Sequence, residues 1–441
     1  MKHNHLKLSA LLAMALIVIL ALVGCSSPTA EESAQAPAPT EAPAEEPTMA
    51  PTEVPTEAPT MAPKHSHTPD SAEASDKIDP VVFRQTMRQL WEDHAFWTRS
   101  YIVSAVADLP DTQLTAERLL QNQADIGNAI AGFYGEEAGA ALTELLREHI
   151  LTAAELVGAA KAGDQDAVAK AGEAWYANAD EISVFLASAN PAWPEDALKE
   201  MMKMHLDQTL AEATAQLSGD YEASVAGYDE IVTHLQMMAD TLSAGIITQF
   251  PDRFSEASLS QDGEGLHAAM RDLWVDHVAW TRLYIVSAVA DLPDTQVTAG
   301  RLLQNQADIG NAVADFYGEE AGAALTELLR GHILTAADLV TAAKSGDQDA
   351  VAKASEAWYV NANEISAFLA TANPAWPEDA LMEMMKMHLD QTLVEATAQL
   401  TGDYSAGIAS YDEIVTHIHA MADALSSGII AQFPDRFDPA S

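Results

Sequence analysis

The stretch from Phe83 to Phe254 is written twice, recurring as Leu266 to Phe437 with no insertion or deletion. The pairs His94 and His277, Trp193 and Trp376, and Phe250 and Phe433 all stand 183 residues apart. A period of that length is far beyond a solenoid repeat, so the chain is a tandem of two whole domains sharing one fold.

Within a copy the apolar residues recur at three and four, as in Met87, Leu90, His94 and Tyr101, and no run of β-branched residues alternates with period two. The spacing predicts helices over about 80–108, 113–134, 136–162, 164–189, 194–218 and 220–249. Gly163-Asp164 and Gly219-Asp220 supply a stop followed by a cap, Asn190-Pro191 breaks the chain, and Glu136-Glu137 and Glu195-Asp196 place acids in first turns. Connections this short imply antiparallel neighbours. The expected fold is all-α, two tandem up-and-down bundles of about six helices each, at 80–254 and 266–438 with a linker at 255–265.

Ahead of the duplication the chain changes character. Lys2 and Lys7 precede an apolar run from Leu8 to Val23, which ends in Leu22-Val23-Gly24-Cys25. The order of charged, apolar and small residues is that of a signal peptide. Its end resembles the lipobox of bacterial lipoproteins, so that 1–25 reads as a signal peptide with its lipobox; the resemblance implies cleavage before Cys25, lipidation of Cys25 as the mature N-terminus and an extracytoplasmic protein anchored to the cell membrane. Cys25 is the only cysteine, so packing alone must hold the domains together. Residues 26–79 are rich in Pro, Thr, Glu and Ala, a composition too poor in apolar surface to fold; they read as an extended stalk. His65 and His67 in that stalk form a weak metal-catching pair.

With 66 acidic against 22 basic side chains the formal charge is −44, which repels a phosphate backbone. Nucleic acid is therefore excluded as a partner, and cations are favoured.

Four helices of each copy carry one histidine on the apolar stripe: His94, His149, His205 and His234, then His277, His332, His388 and His417. Imidazoles converging from different helices are how bundles build metal sites, so these eight are the candidate ligands of a transition metal such as copper, iron or zinc. Glu212, Glu230, Glu395 and Glu413 are the candidate carboxylate companions. The residues three before the histidines are Trp91, Leu146, Met202 and Ile231, none acidic, which argues against the ExxH pairs of a carboxylate-bridged di-metal bundle. Met201, Met204, Met384 and Met387 beside His205 and His388 offer thioethers suited to copper. Arg99, Arg118, Asn122 and Asp125, with Arg282, Arg301, Asn305 and Asp308, form an alternative pocket for a small anion, unless Arg118 simply pairs with Asp125. Glu92 becomes Val275 and Glu148 becomes Gly331, so neither is expected to serve a site present in both copies.

The phrases LWEDH, LLQNQADIGNA, FYGEEAG, EHILTAAELVGAAKAGD, WYANADEI and MADTLSAGIITQFPDRF resemble a family of helical proteins common in Bacilli. The resemblance spans nearly all of each repeat. It implies an all-helical fold and transfers no catalytic residues. Members often bear the name acetylglutamate kinase, but such a kinase needs an α/β sheet with glycine-rich loops, and this sequence offers neither. The reading that follows is a tethered binding module for a metal or small ligand. A metal-dependent or oxygen-handling enzyme and a purely structural or protein-interaction module are the alternatives.

Overall fold

The computed structural model describes residues 77–437. The signal peptide, Cys25, the His65 and His67 pair and nearly all of the stalk lie outside the described residues.

Among the described residues twelve α-helices follow one another: α1 (Pro80–Val106), α2 (Thr112–Tyr134), α3 (Glu136–Ala162), α4 (Gln165–Ala189), α5 (Glu195–Ser218) and α6 (Tyr221–Gln249), then α7 (Gln261–Val289), α8 (Thr295–Tyr317), α9 (Glu319–Ser345), α10 (Gln348–Ala372), α11 (Glu378–Thr401) and α12 (Tyr404–Gln432). They form two groups of six, the all-α tandem that the duplication and the helical periodicity predict. The helix ends follow local chemistry. Asp79 caps α1 by accepting from the Val81 amide at 2.9 Å, with Pro80 opening the helix. Gly163 and Gly219 close α3 and α5 at φ of 72° and 78°, a left-handed turn that glycine adopts without a Cβ penalty. One boundary differs from expectation. Ser260 caps α7 through its Oγ, so 261–265 form the first turn of that helix rather than part of a linker.

In each group every helix packs on the next and the sixth returns to the first, giving a closed ring. α1 also reaches across to α3 and α5. It can do so because it is apolar on several sides, with Met87, Trp91, Phe96, Trp97, Ile102 and Val103 all buried. The opposite end of the bundle is locked by Trp193, which lies so close to α6 that a Cβ on Gly245 would stand 2.0 Å from its Nε1.

The two bundles meet through α1 against α7, α6 against α8 and α12 against α2. The contacts come in exchanged pairs. Arg118 binds Asp412 at 2.8 Å while Arg301 binds Asp229 at 2.7 Å; Trp97 meets Tyr411 edge-on while Trp280 meets Tyr228 likewise, both at 5.5 Å. Each member of one pair is the 183-residue counterpart of a member of the other. The copies are therefore related by a pseudo-two-fold axis, the arrangement of an isologous dimer fused into one chain.

Candidate metal centre

Since α1, α3 and α5 are the helices that touch across the ring, a residue at mid-height on each meets the other two. His94, His149 and His205 occupy those positions and are 2–3% exposed. The ring centroids of His94 and His149 lie 5.5 and 5.9 Å from that of His205. In the second copy His277, His332 and His388 repeat the arrangement at 5.4, 6.0 and 6.2 Å. One ring nitrogen from each of these three falls within 4.8 Å of the others. The closest pair, His277 Nε2 and His388 Nε2, is 3.4 Å apart. A metal held at about 2.0–2.1 Å by each nitrogen spaces its ligand atoms by about 3.4 Å, so that edge is already at a coordinating distance.

Neighbouring amides set the tautomers. Asn178 donates from Nδ2 to the Leu145 carbonyl at 3.1 Å, which turns its Oδ1 toward His149 Nδ1, also at 3.1 Å. His149 therefore carries its proton on Nδ1 and turns a bare Nε2 inward. Asn361 sets the same tautomer for His332 at 3.1 Å, and there Nε2 accepts a long hydrogen bond from Trp358 Nε1 at 3.3 Å, which a metal would displace. His94 and His277 differ. The Gln123 and Gln306 Nε2 groups stand 3.3 Å from Nδ1 of these rings while donating to Leu119 and Leu302 carbonyls at 2.8 Å. Oε1 of each glutamine is buried without a partner, as is Nδ1 of His205 and of His388. A half turn of the Gln306 amide would give its orphaned oxygen to His277 Nδ1–H and free Nε2 to coordinate.

Burial, aided by the neighbouring imidazole, pushes His94 and His277 down to about 3, and burial alone pushes His149 and His332 down to about 4. His205 and His388 move down as well, through burial and then the surrounding rings. All six rings are neutral at pH 7, the form in which imidazole is a ligand.

The remaining sequence candidates fall elsewhere. His234 and His417 point Nε2 at the Met201 and Met384 carbonyls, 2.9 Å away, and are held by the helix seam rather than by the triad. Glu212 and Glu395 are buried but belong to Arg99 and Arg282, at 2.7 and 2.8 Å, so they are ion-pair partners and not ligands. Glu230 and Glu413 are exposed. Met204 and Met387 are 51% and 46% exposed, on the far side of α5 and α11 from the rings. The anion pocket does not assemble either. Arg99 and Arg282 are taken by their glutamates, Arg118 and Arg301 cross to the other copy, Asn122 and Asn305 donate to the Leu90 and Leu273 carbonyls, and Asp125 and Asp308 accept from Gln121 and Gln304. Arg118 pairs with Asp412, not with Asp125.

Two residues that shape the site escaped the sequence reading, Asn178 and Asn361. A signal existed: each is the polar interruption of an otherwise apolar stripe, Trp175, Asn178, Ala179, Ile182 in the first copy. Comparison of the chain with family models, curated proteins and solved structures finds no match.

Proposed function

We propose that this is an extracytoplasmic lipoprotein, tethered to a bacterial membrane by a lipid on Cys25, whose twin bundles each bind one late transition-metal ion on three imidazoles. The observation that carries the reading is the approach of His277, His332 and His388 nitrogens to within 4.8 Å of one another in a dry interior. Such rings are costly to bury together for packing alone, since their inward nitrogens have only long contacts, 3.3 Å from Trp358 Nε1 to His332 and 3.4 Å between His277 and His388, and Nδ1 of His388 has no partner among the described residues.

The donor set narrows the metal. No carboxylate shares the layer, which disfavours the histidine–carboxylate chemistry of non-haem iron. Three neutral rings bring no charge, so a bare dication would keep its full charge in an apolar core. Copper(I), or zinc with a bound hydroxide, suits the layer best.

The test is metal content by mass spectrometry after reconstitution with copper(I), zinc or iron(II). Two ions per chain are expected, falling to none in a His149→Ala/His332→Ala variant that stays helical. Absence of metal, or a stoichiometry indifferent to both substitutions, would overturn the reading.

One feature favours an oxygen-handling enzyme as the second reading. An apolar crevice of about 40 Å³, lined in part by Ile150, Trp175 and Thr209, abuts the first triad and can admit a small neutral molecule. Oxygen uptake by the copper-loaded protein would support it.

A further inference from the structure

Glu92 is present in one copy only, and its surroundings explain why. It lies on α1 where α1 meets α7, accepts from Gln236 Nε2 at 2.6 Å, and lines the same cavity as Asp272, whose own counterpart in the first copy is Gln89. The pair exists because each copy has changed at one of two neighbouring positions. Two carboxylates lining one cavity favour a cation between them.

They open onto a cavity of about 220 Å³ between the bundles. At about 30 Å³ per water, that is room for roughly seven waters, far more than a bare ion occupies. Asp93 and Asp276, counterparts on α1 and α7, line it, and Asp229 adds a fifth carboxylate against the single cation Arg301. Arg301 is already engaged by Asp229 and Asp276 at 2.7 and 2.8 Å and lies over the Trp280 ring. Arg88, 3.3 Å from Asp272, is chiefly bound to Asp240 at 2.6 Å. Negative charge is left over.

The rest of the lining is hydrocarbon and aromatic, supplied by Phe96, Val232 and Val275. Two phenols complete it. Tyr228 and Tyr411 are 3% and 1% exposed, border the cavity, and make no hydrogen bond with any described residue. Their hydroxyls are not sealed off, so whatever fills the cavity is what can bond them. A hard metal ion would use the carboxylates but neither the apolar walls nor the neutral phenols.

We infer that this cavity, made once per chain at the pseudo-two-fold interface, binds a small organic cation of the aliphatic diamine class. One ammonium sits between Glu92 and Asp272, and the second meets Asp93. The methylene chain lies along Phe96 and the valines, and the Tyr228 and Tyr411 oxygens accept from N–H.

The test is isothermal titration of the full chain with 1,4-diaminobutane at low ionic strength, alongside calcium chloride and the uncharged isostere 1,4-butanediol. The diamine should bind with one site per chain, not two, and the diol should not bind. Glu92→Val with Asp272→Gln, which gives each position the residue of its counterpart copy, should weaken the diamine at least tenfold while metal content at the histidines stays unchanged. Binding of calcium but not of diamine, equal binding of the diol, or a stoichiometry of two would each overturn the assignment. None of these outcomes bears on the histidine centres, which lie inside the bundles.

Discussion

Replacing Glu212 by Gln separates a structural ion pair from a metal ligand. Arg99 Nη1 lies 2.7 Å from Glu212 Oε1, and the two side chains are 2% and 1% exposed. The only other acceptors near that nitrogen are the Ser224 carbonyl and hydroxyl at 3.2 Å. Guanidinium does not lose its proton inside a protein, so the substitution leaves a full positive charge buried between the Tyr228 and Trp280 rings. Losing one partner of a buried pair costs about 3–5 kcal/mol, in line with a Coulomb energy of about 4 kcal/mol for charges 4 Å apart at an effective dielectric of 20. For a bundle of this size that corresponds to a loss of roughly 10 °C in Tm. Arg99→Met with Glu212→Leu should restore most of it, since both charges leave together; the residue of about 1–2 kcal/mol is the lost contact of Arg99 with the aromatic rings. Urea and thermal unfolding of the parent and these two variants measure these differences, and metal content is read on the same samples. The reasoning fails if Glu212→Gln unfolds like the parent but has lost the metal of the first bundle.

Acid should loosen the metal-free bundles. His94, His149, His277 and His332 sit at about 3 to 4 when folded against 6.5 when free, so their contribution is complete above pH 6.5 and is lost as pH falls. At pH 5 each costs about 2 kcal/mol relative to pH 7.5. The bundle interface responds in the opposite sense: Asp93 and Asp276, raised by burial to about 7 and 6, hold protons better when folded, and their environment gains as pH falls toward 5. Urea midpoints of chelator-treated protein at pH 7.5 and pH 5 should therefore converge in a His149→Leu/His332→Leu variant, and an unchanged pH difference would contradict the assignment. Gly245→Ala should destabilise the first bundle by about 1–3 kcal/mol, because its Cβ would fall 2.0 Å from Trp193 Nε1; a melting temperature equal to the parent's would show that α6 can move away.

The fold was legible because its punctuation is local. A glycine followed by aspartate, as at Gly163-Asp164, ends one helix and caps the next through contacts within four residues, and the periodicity does the rest. The site was legible only in part. An apolar stripe spans roughly 100° of a helix, wide enough to include both the ring-facing position of His205 and the seam position of His234, whose Nε2 ends on the Met201 carbonyl. Glu212 shares that inward face, and nothing in its neighbourhood along the chain announces Arg99, 113 residues earlier. Glu92 was set aside only for a site present in both copies, and that reading leaves a site made once per chain unexamined. Comparing the copies position by position assumes that each copy is a complete unit, whereas Glu92 lines the same cavity as Asp272 of the other copy.

A position that differs between the copies shows what duplication makes possible. In a homodimer of identical chains every substitution appears twice, so a carboxylate introduced beside the axis faces its own copy's consequences on both sides. Fusing the copies removes the constraint: Glu92 opposes Asp272 once, while the mirror positions keep Gln89 and Val275, one uncharged amide and one hydrocarbon. The histidine triads, remote from the axis, have no such freedom to gain from fusion, and they are retained in both copies with the same supporting amides, Gln123 and Asn178 in one and Gln306 and Asn361 in the other. Divergence at the axis alongside identity in the cores is the pattern expected if the interface has acquired a role of its own after the bundles had theirs.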